Sequence, residues 1–167
     1  MISNNGPITA AGSCSATIRE NDRDFMTQAL QLARQARLTS HPNPAVGCLL
    51  VRHNRVIAEG YTQPVGQAHA EVVALARAGQ QAHDATAYVT LEPCNHHGRT
   101  PPCAEALINA GISRVVYGCM DPNPLVSGQG LIRLAAAGIR VSGPLLEYEC
   151  RQLNDAFVQR METAKPM

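Results

Sequence analysis

Three side chains suited to a single zinc ion stand apart along this chain: His69, Cys94 and Cys103. Zinc takes nitrogen and sulfur ligands in a tetrahedron, and structural sites usually fill all four positions with protein. A set of three leaves one position open for water, which points to chemistry. Glu71, two residues after His69, is not needed as a ligand and stands where it can move protons. A fold that uses this set must bring the His69-Ala-Glu71 segment against Pro93-Cys94 and against the start of whatever element Cys103 opens. His-x-Glu alone is common in helices and Pro-Cys alone means little. Their order, with a second Cys further on, carries the signal.

The pattern around these residues predicts alternating strands and helices. Asn21-Asp22 can cap a helix in which Phe25, Ala29, Leu32, Ala33 and Ala36 recur at helical spacing. The prolines of Thr39-Ser-His-Pro-Asn-Pro44 end it. Strands are predicted over Ala45 to Val51 and Val56 to Tyr61, with a turn at His53-Asn54. A helix over Ala68 to Ala78 carries His69 and Glu71 in its first turn. A strand over Thr86 to Leu91 leads into a long loop, Glu92 to Thr100. Pro101-Pro102 suit a helix start, where their missing N–H groups are not needed, and that helix runs to Gly111. Arg114 to Met120 is a strand, Leu125 to Ala137 a loop and then a helix, Ile139 to Val141 a short last strand, and Leu145 to about Met161 an amphipathic helix. Such alternation means an α/β fold: a three-layer α/β/α sandwich around a mixed sheet of about five strands, with ligands at the carboxyl edge. The organisation expected is a flexible leader over residues 1–20, a catalytic domain over 21–145 and a C-terminal helix over 146–167.

Both metal segments then open helices, where the positive end of the dipole favours a thiolate at Cys103. Zinc there lowers the pKa of water to near neutral. Glu71 can act as base and then as acid within one turnover, which suits a carboxylate. A His/Cys/Cys zinc with a non-ligating Glu is the working set of zinc deaminases of bases and nucleosides. Many of these keep the two cysteines two residues apart. Here eight residues, Asn95 to Pro102, separate them. A loop that long folds back over the metal and can supply substrate contacts.

The stretch Thr90-Leu-Glu-Pro-Cys-Asn-His-His-Gly-Arg-Thr-Pro-Pro-Cys103 resembles the deaminase domains of the bifunctional pyrimidine deaminase/reductase family of riboflavin biosynthesis, within the cytidine-deaminase-like superfamily. The resemblance extends to Thr39-Ser-His-Pro-Asn-Pro-Ala-Val-Gly47, to His69-Ala-Glu71 and to Asp121-Pro-Asn-Pro-Leu-Val-Ser-Gly-Gln-Gly130, and it runs from about Asp22 to the C-terminus. It implies Zn2+ on His69, Cys94 and Cys103, Glu71 as proton shuttle, and hydrolytic release of ammonia from a phosphoribosylated diaminopyrimidine. It also implies substrate contacts from Asn43, His96, Arg99, Asp121 and Asn123. Asn43 offers a donor and an acceptor to a pyrimidine edge, and Arg99 has the planar fork that binds phosphate. Asn43 and Asn123 in Asn-Pro steps are also turn formers. The family often has a His seven residues before the zinc His. Thr62 stands there in this chain, a group that hydrogen-bonds but carries no charge, and it completes the substrate set. The reductase that usually follows is expected to be absent, since the lead-in resembling Leu153-Asn-Asp-Ala-Phe-Val-Gln-Arg-Met161 is followed only by residues to Met167.

Bulk properties limit the alternatives. Net charge is +1, aromatics make up 4% and there is no Trp, which disfavours a nucleic-acid partner that needs a basic face and stacking rings. No stretch approaches the roughly 20 apolar residues of a membrane span, and the N-terminus lacks a basic start followed by an apolar run. Six cysteines without signs of secretion fit a reducing cytoplasm, and Cys48 and Cys119 read as small core residues. A homo-oligomer and a separate reductase stay open as partners. The competing functions are a deaminase of another base, nucleoside or nucleotide, and an inactive zinc-stabilised scaffold for a separate reductase.

Overall fold

Strands buried on both sides must alternate their side chains between two apolar layers, and this chain does so. In the computed structural model, which describes residues 17–40, 43–64, 66–95 and 102–154, five strands form one mixed sheet in the order β2-β1-β3-β4-β5. They are β1 (Gly47–Arg52), β2 (Arg55–Tyr61), β3 (Thr86–Leu91), β4 (Arg114–Cys119) and β5 (Arg140–Ser142). β1 is antiparallel to both β2 and β3, while β3, β4 and β5 are parallel. The parallel pairs need crossovers, and helices supply them: α3 (Cys103–Asn109) joins β3 to β4, and α4 (Gln129–Ala136) joins β4 to β5. α2 (Ala70–Ala78) joins β2 to β3, and α1 (Asp22–Ala36) and α5 (Glu147–Leu153) stand at the ends of the described chain.

Cys48, Leu50, Ala87, Val89, Val115 and Tyr117 face one layer, with Ala74 of α2, Leu107 of α3 and Leu134 of α4. Leu49, Val51, Tyr88 and Val116 face the other, under Met26, Ala29 and Leu32 of α1. Cys119, Cys150 and Leu153 continue that second layer beneath α1 and α5. The three-layer sandwich and the core roles of Cys48 and Cys119 are therefore as expected. Most element bounds lie within two residues of their predicted positions.

Several local differences have physical reasons. Asn21 makes no side-chain cap on α1; its amide bonds to Asn54 instead. The carboxylate of Asp22 turns inward, 1% exposed, onto Arg114, also 1% exposed, at 2.7 and 2.9 Å, and accepts from the Tyr88 hydroxyl at 2.6 Å. β1 begins at Gly47 rather than Ala45 because side chains bond the preceding backbone. Asn154 brackets Ala45 with two hydrogen bonds, and Thr62 takes the N–H of Val46. α2 begins at Ala70, with His69 as its extended N-cap residue rather than in its first turn. α4 begins only at Gln129, and the described part of the C-terminal helix ends with Leu153, residues 155–167 lying outside the described set.

One glycine decides where α2 can lie. A Cβ on Gly60 would stand 2.5 Å from the carbonyl oxygen of Ala70 and 2.7 Å from the nitrogen of Ala74. The first turn of α2 thus rests directly on the β2 backbone, and the helix entry that carries His69 and Glu71 is set by that contact.

Candidate active site

The same edge of the sheet gathers the polar residues. β3 ends into Glu92, Pro93 and Cys94; β4 ends into Asp121; the antiparallel β1 begins there, preceded by Asn43–Val46; and β2 ends there into Thr62. A cleft of about 440 Å³ opens at this edge, with Asn43, Thr62, His69, Glu71 and Cys94 on its walls. Glu92, Asp121 and Asn123 complete the polar lining, and Pro44, Val46, Leu91 and Val126 give it apolar surface. Cys103, 2% exposed at the first position of α3, lies against His69 and Cys94 of this wall. His96 and Arg99 lie outside the described residues.

The donor atoms of His69, Cys94 and Cys103 all lie within 4.8 Å of one another. His69 Nδ1 is 3.2 Å from Cys103 Sγ and 4.0 Å from Cys94 Sγ. Ligands on one tetrahedral zinc, with Zn–S near 2.3 Å and Zn–N near 2.0 Å, stand about 3.5 Å apart. The two separations bracket that value, so the trio fits a zinc ion. The Cys94–Cys103 segment is tied on itself, since the N–H of Cys103 donates to Cys94 Sγ at 3.2 Å and that of Ala104 to the Cys94 carbonyl at 3.0 Å. Hydrogen bonding from Cys103 holds the Cys94 thiol well below its usual range, and the same contact, with burial, pushes the Cys103 thiol up. Contact with Cys94 raises the His69 imidazole in spite of its burial.

Glu71 is 4% exposed in the first turn of α2. Burial first, and then the nearby Cys94 sulfur, push its carboxyl up to about 7, against its own backbone N–H, His69 and Cys103. A carboxyl that gains and loses a proton near neutrality is matched to general acid–base work.

The remaining cleft residues combine turn-making with open polar atoms. Asp121 Oδ1 accepts from the N–H of Asn123 at 2.9 Å, and Asn123 Oδ1 accepts from Leu125 at 3.0 Å. Each side chain makes a local Asx turn and keeps a second polar atom, Asp121 Oδ2 and Asn123 Nδ2. Thr62 lines the cleft, where its hydroxyl also accepts from Val46 N–H at 3.0 Å and can donate to Pro44 O at 3.3 Å. It holds the strand that follows Asn43 while lining the cleft. Glu92 was not foreseen. It is 5% exposed beside Cys94, and burial raises its carboxyl while backbone N–H groups of Gly128, Asp121 and Gly130 pull it down. Its sequence signal was a carboxylate directly after an apolar strand and two residues before a cysteine.

Residues 19–119 match the family described as the cytidine and deoxycytidylate deaminase zinc-binding region. The chain belongs to this family. The riboflavin biosynthesis protein RibD of Escherichia coli (strain K12) is 56% identical over 145 residues, a match covering 87% of this chain and 40% of that protein. The diaminohydroxyphosphoribosylamino-pyrimidine deaminase of Buchnera aphidicola (subspecies Acyrthosiphon pisum) is 48% identical, over 87% of this chain and 99% of its own length. Among solved structures, RibD of Acinetobacter baumannii superposes with a TM-score of 0.85 at 50% identity, over 87% of this chain and 41% of that one. The chain thus spans about two-fifths of RibD and nearly the whole length of a relative named for the deaminase alone. Among the described residues no helix is long and apolar enough to cross a membrane.

Proposed function

We propose that this chain catalyses the hydrolytic deamination of 2,5-diamino-6-(5-phosphoribosylamino)pyrimidin-4(3H)-one, the riboflavin-pathway reaction for which its relatives are named. The observation that carries the reading is the convergence of His69, Cys94 and Cys103 within 4.8 Å beside a buried Glu71. These three residues would hold zinc, which supplies a Lewis acid that makes water nucleophilic near neutral pH.

The chain's own groups do the rest. Water adds to the ring carbon that bears the amino group, and Glu71 takes one proton from it. Glu71 passes that proton to the ring nitrogen, and the amino nitrogen leaves as ammonia with the remaining water proton as the carbonyl forms. A buried carboxyl near neutrality can accept and return the proton within one turnover. Asn43 reads the pyrimidine edge, with Thr62 fixing the strand behind it. Asp121 and Asn123 offer their free atoms to the ribose or the base. Arg99 and His96, on the segment between the two cysteines, hold the phosphate. A reductase as partner, in the same or a separate chain, accords with the greater length of RibD.

Zinc-loaded protein incubated with the phosphoribosylated pyrimidine should release one ammonia per substrate. Cytidine, adenosine and the dephosphorylated pyrimidine should be poor substrates. Preference for one of these over the phosphorylated compound would assign the site to another base or nucleoside.

A further inference from the structure

The proposed chemistry leaves one buried carboxylate without a task. Glu92 follows the last residue of β3 and forms no ion pair among the described residues, although acidic side chains are almost never fully buried without a partner. Its partners are backbone N–H groups of a single stretch. Oε1 accepts from Asp121 at 2.8 Å and from Gly128 at 2.9 Å, Oε2 lies 3.1 Å from the same Gly128 nitrogen, and Gly130 adds a further N–H. Both ends of the 121–130 segment are thus held by one side chain. Gly130 is also pressed so closely on this strand end that a Cβ there would stand 1.8 Å from the carbonyl oxygen of Pro93. Asp121 at the first of these ends and Asn123 two residues on both line the cleft. Glu92 lines the cleft as well, but its oxygens are taken up by N–H donors of the loop.

We infer that Glu92 is a positioning residue for substrate affinity: its carboxylate fastens the 121–130 loop to the Cys94 segment and so sets where Asp121 and Asn123 meet the substrate. The substrate's identity rests on the reading above; the fastening of the loop does not.

Glu92→Gln keeps one acceptor oxygen and turns an NH2 group onto N–H donors, so at least one charge-assisted bond is lost. Zinc content should stay at the wild-type level and kcat within about threefold, while KM for the phosphoribosylated substrate rises about 10- to 100-fold, the scale of one such bond. In an Asp121→Ala/Asn123→Ala background the same change should raise KM by less than about threefold, because both groups being positioned are gone. Without substrate, amide exchange should quicken across residues 121–130 while β3 keeps its protection. Glu92→Asp, shorter but still charged, should restore part of the KM, and it carries the same cycle if the Gln variant does not fold. A KM effect that multiplies fully with Asp121→Ala/Asn123→Ala, a loss confined to kcat, or exchange that is unchanged or accelerated throughout the chain would overturn the inference. If wild-type protein releases no ammonia from this substrate, the functional reading fails, and the exchange measurement still decides the role of Glu92.

Discussion

Gly60→Ala should disable the active site from outside it. The added methyl group would meet the Ala70 carbonyl oxygen at 2.5 Å and the Ala74 nitrogen at 2.7 Å, both backbone atoms of the first turns of α2. Ordinary contact begins at 3.4 Å, so the helix must retreat by about 0.9 Å at Ala70. Overpacking of this kind costs about 1–3 kcal/mol of stability. The functional cost is larger, because Ala70 lies between His69 and Glu71 and both move with it. A misplacement near 1 Å can cost about 10²-fold in rate. The expected variant is folded, melts several degrees below wild type and releases ammonia about 100-fold more slowly at saturating substrate. Val56→Ala, on the partly exposed outer strand, should leave turnover unchanged and serves as the control. A Gly60→Ala protein with wild-type kcat would show that α2 is not seated by this contact and would refute the argument.

Cys94→Ala and Cys103→Ala should each lose zinc and thermal stability together, because metal binding is coupled to folding; metal analysis beside a melting curve checks both. Asp22→Ala should cost about 3–5 kcal/mol in denaturant titration at pH 7, since it strands the buried Arg114 charge. Burial raises the Asp22 carboxyl, but hydrogen bonds from Arg114 and Tyr88 outweigh it and hold the group below its usual range. The stability it contributes is therefore fully present above the unfolded value near pH 4 and is lost as pH falls through the lower folded value, so wild type and variant should converge below about pH 4. Arg99→Ala should raise KM for the phosphorylated substrate with a smaller change in kcat and hardly affect a dephosphorylated analogue; equal losses on both would place the phosphate elsewhere.

The layers of this fold were legible because their cause is local. Short unbroken apolar runs such as Cys48–Val51 and Ala87–Val89 mark strands covered on both faces, and the prolines near Asn43 and Pro102 mark helix limits. The His69, Cys94 and Cys103 cluster was legible because few functions need a His, two Cys and a neighbouring Glu in that order. Pairings across the fold were not. The Asp22–Arg114 bond joins residues 92 positions apart, and Asp22 read as a capping residue because acidic side chains at helix starts usually are. Glu92 escaped for a related reason: its partners are backbone N–H groups of another segment, which no residue type announces. Thr62 was read only from its place in the motif, and the bonds of its hydroxyl to the backbone around Val46 carry no signature of their own in the sequence.

The most direct test of the account is single-turnover and steady-state ammonia release by zinc-loaded Glu71→Gln beside wild type, with zinc measured on the same samples. The side chain is buried and does not belong to the His69, Cys94 and Cys103 donor set, so the isosteric amide should keep fold and metal. Ammonia release from the phosphoribosylated pyrimidine should fall by at least about 10²–10⁴-fold, the share of a general acid–base group. A zinc-replete Glu71→Gln protein that releases ammonia at a rate close to wild type would contradict the central claim.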